Sequence, residues 1–152
     1  MKKLLIVMGL VAMVAGCSAR TPAPTATQTH YRDKITTAAA RMHQTAGEKN
    51  RMGSVRFDET RAGLNMIVDL RNVRPNVEYK LLVAKPGAAP DAKCTRMNEK
   101  LPRVRGDATG HIRQTYLITG LTAAELNGKE LRMYRRDAHG RKVRVGLGHI
   151  RH

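Results

Sequence analysis

The sequence predicts an all-β sandwich or barrel, and three observations lead there. From Met52 onward apolar residues recur with a period of two in seven or eight short segments separated by turn residues. The chain is 152 residues long, enough for one domain of ordinary size and too short for two. Hydrophobic residues make up 41% of it but aromatics only 3%, with no Trp and one Phe, so one core can form and it must be aliphatic. That apolar fraction excludes disorder throughout, 13 Gly without a period exclude collagen, and two Cys exclude a disulfide scaffold.

The elements follow in chain order. Lys2 and Lys3 precede an apolar run from Leu4 to Val14, and V-A-G-C ends at Cys17. That is a signal peptide over 1–16, since a membrane span needs about 20 apolar residues. V-A-G-C resembles the lipobox of bacterial lipoproteins, which implies a lipid-anchored chain beginning at Cys17. An ordinary cleaved secretion signal is the alternative. Ser18 in the next position resembles the pattern of chains sent to the outer membrane, so the expected location is the bacterial cell envelope, at that membrane. With Cys17 lipidated, Cys94 is the one remaining thiol and no intramolecular disulfide can form.

Residues 17–32 are rich in Pro, Thr and Ala without an apolar period and read as a flexible tether, leaving 33–152 for the domain. DKITTAAARMH, 33–43, is ambiguous, because Ala favours a helix while Ile35, Thr36 and Thr37 favour a strand. Val55 and Phe57 alternate with polar neighbours, and GLNMIVDL sets Leu64, Met66, Val68 and Leu70 on one face. DETRAG between them closes a hairpin. After a turn at Pro75, Tyr79, Leu81 and Val83 mark a third strand. Residues 85–110 read as loop with a short extended piece at LPRV. HIRQTYLITGL offers Ile112, Tyr116 and Ile118 inward, and TAAELNGK has room for one helical turn. KELRMYRR and RKVRVGLGHI close the domain as a hairpin, Leu131 and Met133 facing Val143, Val145 and Leu147 across a tight DAHG turn.

GSVRFDETRAGLNMIVDLRNVRPN, 53–76, resembles bacterial Cu,Zn superoxide dismutase. Gly53 to Val55, Glu59 and Thr60, Gly63 and Leu64, Asp69 and Leu70, and Pro75 meet that family's G-S-V, E-T, G-L, D-L and Pro turn without a gap. The likeness runs more loosely through LPRVRGDATG, GLTAAELNGKEL and RVRVGLGHI to residue 150. It implies a Greek-key β-sandwich with shortened loops and tilts 33–43 towards a first strand.

The family's chemistry does not follow. Leu81 and Val83 hold the positions of its copper-binding H-x-H, Arg135 that of another copper histidine, and Leu147 that of a disulfide cysteine. Aliphatic side chains have no lone pair for a metal. TRMNEK stands for the long zinc loop and DAHG for the electrostatic loop. No cofactor and no catalysis are therefore expected. Other signals are weak. His149 and His152 should lie on opposite faces of a strand, His139 beside Asp137 reads as turn chemistry, and Asp69 and Asp107 lack paired carboxylates.

The charge is the remaining bias: 28 Lys plus Arg against 12 Asp plus Glu give +16, and +14 without residues 1–16. Arg132, Arg135, Arg136, Arg141, Lys142 and Arg144 crowd the last hairpin and form the expected basic binding face. Arg151 lies close by, and Arg56, Arg61, Arg71 and Arg74 sit on the first strands or their turns. A dispersed solvated surface is the bland alternative. The expected partners are the membrane, through the anchor, and an anionic envelope component: lipopolysaccharide phosphates, lipid headgroups, peptidoglycan carboxylates or an acidic protein. Five Phe plus Tyr offer few stacking platforms, which argues against nucleic acid. The function expected is thus a non-catalytic envelope lipoprotein with a dismutase-like binding domain. The alternative is a divergent dismutase or copper-binding protein using other histidines.

Overall fold

A computed structural model describes residues 36–45, 50–89 and 94–152. The expected leader, lipidated Cys17 and tether lie outside the described residues. Within the compact unit Ile35–His152 there are eight strands: β1 (Thr37–Gln44), β2 (Arg51–Thr60), β3 (Gly63–Leu70), β4 (Glu78–Ala84), β5 (Arg103–Arg105), β6 (Ile112–Ile118), β7 (Glu130–Arg136) and β8 (Lys142–Arg151). Two single-turn helices, α1 (Thr95–Asn98) and α2 (Ala123–Leu126), lie between strands.

The strands form one antiparallel sheet in the order β5-β4-β7-β8-β1-β2-β3-β6, a nearly closed barrel with β5 and β6 at its two ends. Closure places apolar alternation inside. Val55 and Phe57 of β2 and all four apolar residues expected of β3 are fully buried. The ambiguous segment is a strand, because Ala38, Ala40 and Met42 alternate into the core while both its edges pair, with β2 and with β8. The core is aliphatic as expected, with Phe57 its largest fully buried side chain and Met42, Met52, Met66 and Met133 filling the space between branched side chains.

Two sequence expectations need correction. Leu131 and Met133 face Gly148 and Gly146, not Val143, Val145 and Leu147, because a bulge between Met133 and Tyr134 changes the phase of the hairpin. Tyr116 is only partly buried, since β6 is an end strand with neighbours on one side. Leu82 and Ala84, on the outer face of β4, are buried too. The Asn98 side chain accepts from Val83 N at 2.6 Å and donates to Val83 O at 3.2 Å, which fastens α1 beside β4.

Local chemistry explains the ends. Thr122 and Glu125 form a capping box at α2, and Glu59 accepts from Ala123 N at 2.9 Å, tying that turn to β2. Gly53 sits at φ +133° where a Cβ would stand 2.1 Å from Asp69 O, so no side chain fits.

Candidate basic binding surface

The β7–β8 turn is built by its aspartate. Asp137 accepts from His139 N at 2.9 Å and Arg141 N at 2.8 Å, and Gly140 closes the turn at φ +75°. Asp107 does the same between β5 and β6, accepting from Thr109 N at 2.8 Å and His111 N at 2.9 Å. The His111 N–H, followed by the Thr109 hydroxyl, holds the Asp107 carboxyl down at about 2; Arg141 N–H similarly lowers Asp137. D-A-T-G and D-A-H-G are thus one turn used twice. The His139 N–H serves it, and the residue itself is exposed.

The six basic residues expected on the hairpin separate. Arg132 does not belong to the solvent-facing set: it is 3% exposed, on the outer face of β7 under the segment after β4. Its guanidinium pairs with Glu130 at 2.8 Å and donates to Ala88 O at 2.7 Å and Ala89 O at 3.3 Å, while Glu130 accepts from Gly87 N at 3.1 Å. Alternation alone would not have buried an arginine; the covering segment did.

Arg141 is exposed and paired with Asp137 at 3.0 Å. Arg136 donates to Gly140 O at 2.7 Å, and the half-buried Arg135 reaches Arg136 O at 3.4 Å. Lys142 lies 4.3 Å over the Tyr134 ring. Arg144 is half-buried, and among the described residues it has no ion-pair partner.

Three depressions run side by side here. One, about 450 Å³, is lined by Lys80, Arg103, Arg135, Arg136 and Lys142, with Glu78 its sole carboxylate among the described residues. The next, about 380 Å³, shares Arg135 and adds Arg74 and Arg144. Arg74 is held there through its N–H to the Tyr79 hydroxyl at 2.8 Å. The third is a groove of about 800 Å³ between β1 and β8 that shares Arg144 and adds Arg41, Arg151, His43, His149 and His152. Arg135 and Arg144 are the walls common to neighbouring depressions, so the basic side chains form one connected surface.

Sequence reasoning missed Arg41 and His43, since an undecided element has no faces. A strand reading of 37–44 would have pointed both outward beside β8. His149 and His152 line the same groove, contrary to strand spacing, because β8 ends at Arg151 and His152 is held by its N–H to Asn127 Oδ1 at 3.2 Å. Of the earlier arginines, Arg56 is paired with Asp58 at 2.9 Å, Arg61 lines a separate depression with Glu59 and Glu125, and only Arg74 joins the surface.

The positions that the resemblance gives to copper do not fit that ion. Leu81 and Val83 are fully buried in the core and offer no lone pair. Among the described residues no group of three or more His, Cys, Asp or Glu side chains is placed to hold a metal ion, the three groove histidines included. Cys94 is a half-buried free thiol against the core.

No protein-family model matches the chain, and no curated protein sequence is similar to it. Solved structures are. The Cu/Zn superoxide dismutase from Brucella abortus superposes with a TM-score of 0.58 at 17% identity, covering 74% of this chain and 97% of its own. A superoxide dismutase-like protein from Bacillus subtilis gives a TM-score of 0.51 at 12% identity, covering 72% and 95%. Eight antiparallel strands in a nearly closed barrel, superposed on almost the full length of both, give this chain a Cu/Zn superoxide dismutase-like fold.

Proposed function

We propose that this protein is a non-catalytic lipoprotein of the bacterial envelope whose dismutase-like barrel binds an anionic envelope component or an acidic protein. The observation that carries the reading is the connected basic surface through Arg135 and Arg144, in which Glu78 is the sole acidic wall residue described. Arginine supports it chemically, because its planar fork matches phosphate and carboxylate oxygens. The non-catalytic part rests on the aliphatic residues at the copper positions, and the anchor on Cys17 in V-A-G-C.

Replacing Arg135, Arg136 and Arg141 together by Ser should leave folding intact, since they flank an exposed turn. Binding to lipopolysaccharide or an acidic partner should weaken in that variant and, for wild type, as salt rises, because the Debye length falls from about 8 Å at physiological ionic strength to about 3 Å at 1 M. Binding unchanged by the variant, or indifferent to salt, would return the surface to a solvated face. The anchor has its own test: wild type should fractionate with membranes and Cys17→Ala should not. Equal release of both into the soluble periplasm refutes lipidation.

A further inference from the structure

The groove between β1 and β8 differs from the hairpin in what its side chains are already doing. Arg141 is committed to Asp137 and Arg136 to a turn carbonyl. The side chains of Arg41, Arg144 and Arg151 make no hydrogen bond or ion pair among the described residues, and no acidic side chain is among the groove's described walls. His43, also lining it, has a buried Nδ1 with no hydrogen-bond partner. Glu130 stands opposite His149 in the ladder but is buried and held by Arg132 and Gly87. Arg41 and Arg151 are exposed and Arg144 half-buried, so their guanidinium groups are open to a ligand that supplies acceptors.

We propose that this groove is the docking site for the phosphate headgroup of an anionic envelope lipid. The inference deepens the basic-surface reading and rests on it. Three cationic forks with no ion pair among the described residues call for a ligand with several negative oxygens, and phosphate meets them more fully than one carboxylate. At about 800 Å³ the groove is of a size for a headgroup, and Leu147, Ala39 and Gly148 give it apolar wall between the charges. Chain direction selects a lipid over a soluble anion. β1 begins at Thr37, and Ala39, two residues on, lies opposite Arg151 at one end of the groove. From the proposed anchor at Cys17 to Thr37 the chain spans 20 residues, a reach of at most about 70 Å. The strand that follows the anchor is therefore itself a wall of the groove, and the domain stays within reach of the headgroups.

The test uses the chain from residue 17 with Cys17→Ser, so that no acyl chain contributes, and sedimentation with phosphatidylcholine vesicles containing phosphatidylglycerol. Two double variants remove equal charge: Arg41→Ser with Arg151→Ser in the groove, and Arg136→Ser with Arg141→Ser on the hairpin. The groove pair should lower vesicle partitioning about thirtyfold, equivalent to about 1 kcal/mol per arginine at an anionic lipid surface. The hairpin pair should lower it by severalfold less. Equal losses would mean diffuse attraction and overturn the groove while leaving the basic surface standing. If wild type also fails to bind lipopolysaccharide and acidic protein, both readings fall. Groove amide shifts on adding inorganic phosphate as large as those with vesicles would assign a free-phosphate site and overturn the lipid source. Circular dichroism of each variant establishes that it is folded.

Discussion

Arg132 and Arg136 share one strand, and burial gives them opposite roles. Removing Arg132 strands the Glu130 carboxylate without its partner, so Arg132→Met should destabilise the domain by about 3–5 kcal/mol in urea unfolding. Arg136→Ser, at an exposed site, should stay within about 0.5 kcal/mol. Burial pushes the Glu130 carboxyl up, but the Arg132 guanidinium and the Gly87 N–H outweigh it and leave it below its ordinary 4.5. Because the folded value is the lower one, the stabilisation is complete above about 4.5 and disappears as pH falls through the folded value. Glu130→Gln should therefore show a shallower loss of stability than wild type in that acid range; parallel profiles would mean that the carboxylate is not coupled to folding. Nothing in the order E-L-R-M-Y-R-R says which arginine is covered, since a period of two puts Arg132 and Arg136 on the same face.

At the scale of elements, β8 shows what a pattern can hide. Opposite Met133 and Leu131 its inward positions are Gly146 and Gly148, followed by Ile150, so two of three carry no side chain to reveal the phase, while Leu147 imitates an inward position and Val145 packs only partly against the core. From Val55 in β2, and throughout β3, the apolar alternation is unbroken, which is why those faces were legible. Gly148 answers crowding by β1: a Cβ there would stand 2.6 Å from Arg41 O and 2.8 Å from Met42 Sδ. A backbone oxygen cannot yield as a side chain does, so Gly148→Ala should cost about 1–3 kcal/mol. At Gly146 the nearest atom is Met52 Sδ at 3.1 Å, on a flexible side chain, and Gly146→Ala should cost less. Thermal unfolding of the two variants compares them directly; equal midpoints would show that β1 shifts freely. Since Arg41 is carried by β1, Gly148→Ala should disturb the groove as well as the core.

For the whole molecule, a dismutase-like barrel and a strong positive charge have to be reconciled with aliphatic residues at the expected copper positions. Protein purified without a His tag should contain no stoichiometric copper or zinc and should not accelerate superoxide dismutation; metal at one equivalent with turnover near the diffusion limit would restore the reading of a divergent enzyme. The sequence by itself determined the all-β class, the aliphatic core, the phases of β2 and β3, the single turn of α2 and the basic excess. Each of these follows from local periodicity, composition or short-range turn chemistry. Only the tertiary structure decided that 37–44 is a strand, because pairing with β2 and β8 outweighs the helical preference of three alanines. It also decided which arginines reach water. Exposure depends on what lies above a strand, and the segment that buries Arg132 comes from more than forty residues away in the chain. The groove is a consequence of the same kind: Arg41 and Arg151 are 110 positions apart in sequence and meet only because the barrel sets its first strand beside its last.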